Sequence, residues 1–187
     1  MGQHKSRSSG SALSQLKTST RFTEEEIQEY YELFKYEYPT GKIAVEDFKR
    51  IYRKSYVIGD PSSFAEHAFR WLDANGDGTI DFYEYLSAMS VTLRGTLEEK
   101  LEAAFNMYDQ DKDGAISKQE MHKLFTAISE MFGQRKMEEK LLGGETLDQY
   151  VDHMFAHLDQ NHDGQITLDE FIEGFKNDES IKALSQI

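Results

Sequence analysis

"DANGDGTIDFYEY" (73–85) is written twice more along the chain, as "DQDKDGAISKQEM" (109–121) and "DQNHDGQITLDEF" (159–171). Each copy fits D-x-[DN]-x-[DN]-G-x5-E. The spacing is that of calcium chemistry. Ca²⁺ is a hard ion that takes six to eight oxygens, drawn from places 1, 3, 5, 7, 9 and 12 of a twelve-residue loop. Glycine at place 6 allows the sharp turn, and the place-12 Glu offers both oxygens. The first copy supplies Asp73, Asn75, Asp77, the carbonyl of Thr79, Asp81 directly or through water, and Glu84. The second supplies Asp109, Asp111, Asp113, the carbonyl of Ala115, Ser117 through water, and Glu120. The third supplies Asp159, Asn161, Asp163, the carbonyl of Gln165, Thr167 through water, and Glu170. Ile80, Ile116 and Ile166 all fall at place 8, where a β-branched residue supports a short strand pairing neighbouring loops. A metal-free Asx-rich turn would explain one imperfect copy. It does not explain three complete ones. Mg²⁺, which also seeks oxygen, is the competitor expected at these sites.

The flanks read as helices. Thr23 with Glu26 is a capping box, followed by Ile27, Tyr30, Tyr31 and Phe34 at helical spacing. Asp60-Pro61 opens the next helix, with Phe64, Ala68, Phe69 and Leu72 on one face. Thr96 with Glu99 caps a third, carrying Leu101, Ala104, Phe105 and Tyr108; Thr146 with Gln149 caps a fourth, carrying Val151, Phe155 and Leu158. An exit helix follows each loop. Gly143-Gly144, after "GQRKMEEK" (133–140), marks the longest connection, and Gly95 within "VTLRGTLEE" (91–99) is a predicted hinge.

One earlier stretch shares the register. "YEYPTGKIAVED" (36–47) aligns on Gly41 and Ile43, and counting it, loop starts lie 37, 36 and 50 residues apart. Its ligand places hold Tyr36, Tyr38, Thr40 and Asp47. Two rings stand where carboxylates belong, Pro39 stiffens the turn, and Asp47 is one methylene short for bidentate contact. Too few oxygens remain to desolvate Ca²⁺. The stretch reads as a loop kept to pair with 73–84 and fixed without metal. The fold expected is all-α: four helix-loop-helix units in two pairs, each pair with a short two-stranded β link between its loops. The divisions are an arm (1–22), a first pair (23–93), and a second pair with a C-terminal helix (94–187).

Composition narrows the function. Hydrophobic residues make up 39% of the 187, enough for a packed core, and only two prolines interrupt it. No run approaches the ~18 apolar residues of a membrane span. The N-terminus lacks the apolar core of a signal peptide. With no Cys, disulfides, thiolate metal sites and Cys nucleophiles are excluded. The expected setting is the cytoplasm. A net charge of −13 argues against nucleic acid as a partner. Residues 1–22 run the other way, carrying Lys5, Arg7, Lys17 and Arg21 and no acid. Within that arm, Met1-Gly2 with Ser6 fits the pattern for N-myristoylation of Gly2. One myristoyl chain binds membranes only marginally, with K on the order of 10⁴ M⁻¹, so a second signal is needed. The basic arm supplies one for anionic lipid. A disordered Ser-rich tail is the alternative.

No phosphate-binding Gly-rich loop and no catalytic triad is present, and the acidic clusters are accounted for as metal ligands, so no enzyme is expected. His153 and His157 lie four apart, as a zinc pair would, but no third ligand accompanies them.

The N-terminal Met-Gly, the first loop disabled by "YPTG", "FAEHAFRWLDANGDGTIDFYEYLSAMSVTLRG" (64–95), "AFNMYDQDKDGAISKQEM" (104–121) and "LDEFIEGFKNDESI" (168–181) together carry a resemblance to the neuronal calcium sensor family. It covers nearly the whole chain, and the neurocalcin, hippocalcin and visinin-like branches are the most similar. Recoverin, a cousin, has a disabled last loop, whereas Asp159 and Glu170 are intact here. The chain departs from the family at Tyr38, where Cys is usual, at Tyr30 or Tyr31, where Trp is usual, and in "GGETLDQYV" (143–151). The resemblance implies four EF-hands and a calcium-myristoyl switch, in which calcium expels the lipid from an apolar groove. It also implies peripheral membrane association and an amphipathic helix of a target protein as partner, with the chain a monomer or weak dimer.

Phe22, Phe34, Phe48, Ile51, Tyr52, Phe64, Phe69, Trp71, Phe82, Tyr85 and Met89 are the candidate groove residues. Taken singly, each is better explained as ordinary core; the total of 23 aromatics in the chain favours a groove. Two other functions remain open: a regulatory subunit of an enzyme, resembling calcineurin B, and a passive calcium buffer.

Overall fold

A computed structural model describes residues 15–56, 58–133 and 144–177. Gly2, Lys5, Arg7 and the rest of the arm to residue 14 lie outside the described residues, as do 134–143 and 178–187. After a helical segment at 15–19, the first half runs α1 (Glu24–Glu37), β1 (Lys42–Ala44), α2 (Val45–Ser55), α3 (Ser62–Leu72), β2 (Thr79–Asp81) and α4 (Phe82–Arg94). The second half runs α5 (Leu97–Tyr108), β3 (Ala115–Ser117), α6 (Lys118–Phe132), α7 (Leu147–Leu158), β4 (Gln165–Thr167) and α8 (Leu168–Asn177).

Helix starts follow their caps. Thr23, Thr96 and Thr146 each accept a hydrogen bond from the N–H three residues on, and Glu26, Glu99 and Gln149 reach back to the cap N–H. α3 differs from the expectation. Pro61 stands in the capping place without a side-chain bond, and the helix begins at Ser62. Proline has nothing to donate or accept through its ring, so Asp60 serves instead, its Oδ1 3.0 Å from the Ser62 N–H.

Each pair of loops is joined by one antiparallel ladder three residues long. Ile43 faces Ile80 between β1 and β2, and Ile116 faces Ile166 between β3 and β4; all four are buried. A one-residue slip would turn these isoleucines to solvent, which fixes the register. Beneath the ladders lie two cores. Phe34, Phe48, Ala65, Phe69 and Ile80 form the first; Leu101, Phe105, Met121, Phe125, Phe155 and Phe171 are among those forming the second. Leu16, Phe22, Ile27 and Leu86 form a smaller cluster where the 15–22 segment meets α4.

The two halves pack on each other. Phe64 and Met107 touch both main cores. The connection from α2 to α3 lies on the end of α6, where the Asp60 N–H donates to Glu130 O at 3.0 Å. The predicted hinge is held on both sides. Arg94 donates to Glu26 and to Arg21 O and covers the Phe22 ring, its guanidinium carbon 4.4 Å from the centroid. Beyond Gly95, Glu99 pairs with Arg21 at 2.7 Å. No helix among the described residues is long and apolar enough to cross a membrane.

Candidate metal centre

Each of the three intact loops closes around its own carboxylates. In 73–84, Asp73 accepts from the N–H groups of Asp77 (3.1 Å) and Gly78 (2.9 Å), and Asn75 accepts from Asp77 N–H (2.7 Å). Glu84 reaches back across the loop, accepting from Asn75 N–H (3.1 Å) and Asp81 N–H (3.0 Å). The 109–120 loop repeats this. Asp109 accepts from Asp113 and Gly114, and Glu120 accepts from Gln110 (2.9 Å) and Ser117 (2.9 Å). In 159–170, Asp159 accepts from Asp163 and Gly164, and Glu170 from Asn161 (3.3 Å) and Thr167 (2.9 Å). Backbone donors thus fix the place-1 and place-12 carboxylates of each loop. Gly78, Gly114 and Gly164 sit at φ of 79°, 90° and 85°, the left-handed geometry that turns the loop.

This arrangement is costly without a cation. Asp73, Glu84, Asp109, Glu120 and Asp159 are all buried, and a buried charge needs pairing or a metal. Ligand oxygens of Asp109, Asp111 and Glu120 lie within 4.8 Å of one another. Burial pushes the Asp109 carboxyl up, against three backbone donors that oppose it. Glu120 is also raised by burial, but the Ser117 hydroxyl and backbone donors outweigh this and leave it lowered. Glu170, held first by the Thr167 N–H, is lowered too. Oxygen donors of this number and spacing fit Ca²⁺.

Places 9 and 12 do a second task that the sequence reading did not assign. Asp81 with Glu84, and Ser117 with Glu120, are the capping boxes that start α4 and α6. Thr167 and Glu170 make the same exchange at the start of α8. The signal was present, since D/S/T-x-x-E is also a helix-start pattern. The hydroxyls of Ser117 and Thr167 donate to Glu120 (2.6 Å) and Glu170 (2.8 Å).

The 36–47 stretch is built otherwise. Tyr36 points into solvent, 85% exposed. Tyr38 packs on Phe34, with ring centroids 5.3 Å apart. Asp47 pairs with Arg50. Thr40 bonds Lys42 of its own turn. Lys42 leaves the loop altogether and contacts Asp77 and Thr79 of its neighbour. That contact was not foreseen, because it depends on strand register.

The groove candidates separate into groups. Tyr52, Phe64 and Trp71 line a cleft of about 640 Å³ between the two halves, with Val91, Met107 and Ile128 among its other walls. Phe34, Phe48 and Phe69 lie in the first core, with Phe82 and Tyr85 packed against it. Phe22 belongs to the small cluster, against which Met89 packs. Ile51 is 39% exposed. Of the histidines weighed for zinc, His153 pairs with Glu145 at 2.9 Å.

Two helix-loop-helix pairs, each tied by a short ladder and together carrying three oxygen-rich loops, define the EF-hand class. Family models of an EF-hand domain pair match the chain over residues 39–92 and again over 98–176. The first match begins at Pro39, past the places held by Tyr36 and Tyr38. The chain is an EF-hand calcium-binding protein.

Proposed function

We propose that this protein is a calcium sensor of the neuronal calcium sensor type, with three Ca²⁺ sites at 73–84, 109–120 and 159–170. The observation that carries the reading is the place-12 glutamate. Glu84, Glu120 and Glu170 are at once the place-12 carboxylates of their loops and the partners of Asp81, Ser117 and Thr167 in the capping boxes that start the exit helices. A change at the carboxylate therefore acts on the helix start directly. Bound Ca²⁺ would supply the positive charge that buried carboxylates require, with Glu84, Glu120 and Glu170 holding it from place 12; in sensor EF-hands such engagement opens a helix pair. The cleft walled by Trp71, Phe64 and Tyr52 is the apolar surface that α3 and α4 would widen. Its occupant in this reading is an amphipathic helix of a target protein, and Gly2, if acylated, would bring the protein to the face of a membrane from the cytoplasm. No catalytic role is proposed.

Calorimetric titration tests the site count. Saturation is expected at three ions, falling to two in Glu120→Gln and staying at three in Asp47→Ala. The sensor role is tested separately. Trp71 emission and apolar-dye binding should differ between calcium and chelator; identical signals would leave a buffer. Sedimentation of acylated protein with liposomes, with and without calcium and beside Gly2→Ala, tests the membrane step. Constant co-purification with a catalytic chain in chelator would favour a permanent regulatory subunit.

A further inference from the structure

Lys42 stands at place 7 of the degenerate loop and opposite Asp81 in the β1–β2 ladder. Its Nζ lies 2.8 Å from Asp77 Oδ2 and 3.0 Å from Thr79 Oγ1. Asp77 is the place-5 ligand of the neighbouring site. We propose that Lys42 is a tethered cation that occupies the 73–84 site, lowers its calcium affinity and makes that affinity depend on salt. The inference rests on the calcium assignment of that loop.

Both oxygens of Asp77 are engaged. Oδ1 accepts from the Thr79 N–H at 2.9 Å and from its hydroxyl, while Oδ2 holds the ammonium. Asp81 and Glu84 add their attraction for Lys42. A divalent ion entering the loop meets one of two costs. Either Lys42 gives up Asp77, or it stays as a like charge beside the metal. The other two loops lack this feature. Place 7 there is Ala115, facing Thr167, or Gln165, facing Ser117. At place 5, Asp113 accepts from the Ala115 N–H, and Asp163 accepts from the Gln165 N–H and the neutral Asn161 amide. Among the described residues no lysine or arginine bonds a ligand carboxylate in either loop. Among the described residues the tethered charge is thus confined to the pair whose other loop lacks the ligands. There it fastens the two loops without metal and sets the neighbour apart from its siblings.

A site-resolved calcium titration of the ¹⁵N-labelled full chain tests this. The reporters are the amides of Gly78, Gly114 and Gly164, each donating to its own place-1 aspartate at 2.9, 3.0 and 3.0 Å. In Lys42→Met the Gly78 midpoint should move to roughly two- to fivefold lower calcium, the scale of an exposed ion pair. The Gly114 and Gly164 midpoints should stay where they are, which also shows that the variant is folded. Lys42→Arg keeps the charge and should keep the Gly78 midpoint. Added salt should shrink the difference between Met and Lys. A Gly78 midpoint that is unchanged or raised in Lys42→Met overturns the inference. So does an equal shift of all three amides. If Gly78 ignores calcium in the parent while Gly114 and Gly164 respond, the calcium assignment of 73–84 falls, and the role of Lys42 with it. A silent parent is readily told from an unmoved midpoint.

Discussion

Place 9 decides more than a metal contact. Asp81 and Ser117 both cap the helix that follows, and each works with the glutamate three residues on. The degenerate loop has Ala44 there. Its backbone has the extended geometry of a cap (φ −83°, ψ 159°), but no side chain bonds the start of α2. The loop without the oxygen ligands therefore also lacks a side-chain helix cap. Ala44→Ser should restore it and raise stability in chelator by ~0.5–1 kcal/mol, measured by urea unfolding. The calcium count should not change, because Tyr36 and Tyr38 still stand where oxygens are needed. A variant no more stable than the parent would mean that the start of α2 is satisfied by water.

At the level of elements, the ladders and the α2–α3 connection hold the molecule in different ways. The ladders need only buried isoleucines in register. The connection needs room. A Cβ on Gly59 would fall 2.0 Å from Glu130 O and 2.5 Å from Met131 O, both backbone atoms at the end of α6. Gly59→Ala must push α6 or the connection aside and is expected to cost about 1–3 kcal/mol, as overpacking does. The damage should lie between the halves. Hydrogen exchange should quicken at Asp60, whose N–H bonds Glu130 O, more than at Ile43 or Ile166 within the ladders. Uniform loss of protection would instead mean that the whole chain unfolds as one unit.

Across the whole molecule, a buried histidine sits where the halves meet. His67 on α3 is buried, bonds the backbone of Met107 on α5, and leaves Nδ1 without a partner. Burial holds the ring below its ordinary value of 6.5; Arg70 and Lys123 act in the same direction, and the Met107 contact and Glu66 oppose them. The unfolded chain then takes up a proton at a pH where the folded chain does not. Stability from this group is present above pH 6.5 and is lost as pH falls below it. In chelator, the parent should lose melting temperature relative to His67→Gln between about pH 7.5 and about pH 5.5. Parallel curves for the two proteins would show that the ring titrates as freely in the folded state as in the unfolded.

The helix caps at 23, 96 and 146, the spacing of the loops and the facing isoleucines are local matters, and the sequence by itself determined them. A cap needs its partner three residues away, a calcium loop is twelve residues long, and a strand pair needs one buried side chain at a fixed place. The α3 start at Ser62 was legible to within a residue, because Asp60 reaches over a proline that has no N–H. The contacts that span the fold were not legible. Lys42 reaches Asp77 only because the ladder sets those chains side by side. Arg94 and Glu99 tie down both sides of Gly95, which read from sequence alone as a hinge. The cleft admits Tyr52, Phe64 and Trp71 while Phe34, Phe48 and Phe69 fill a core, though all six belong to one aromatic pattern. Hydrophobicity selects which side chains leave water. Which neighbours they meet is settled only when the two halves pack, and only the tertiary structure decided it.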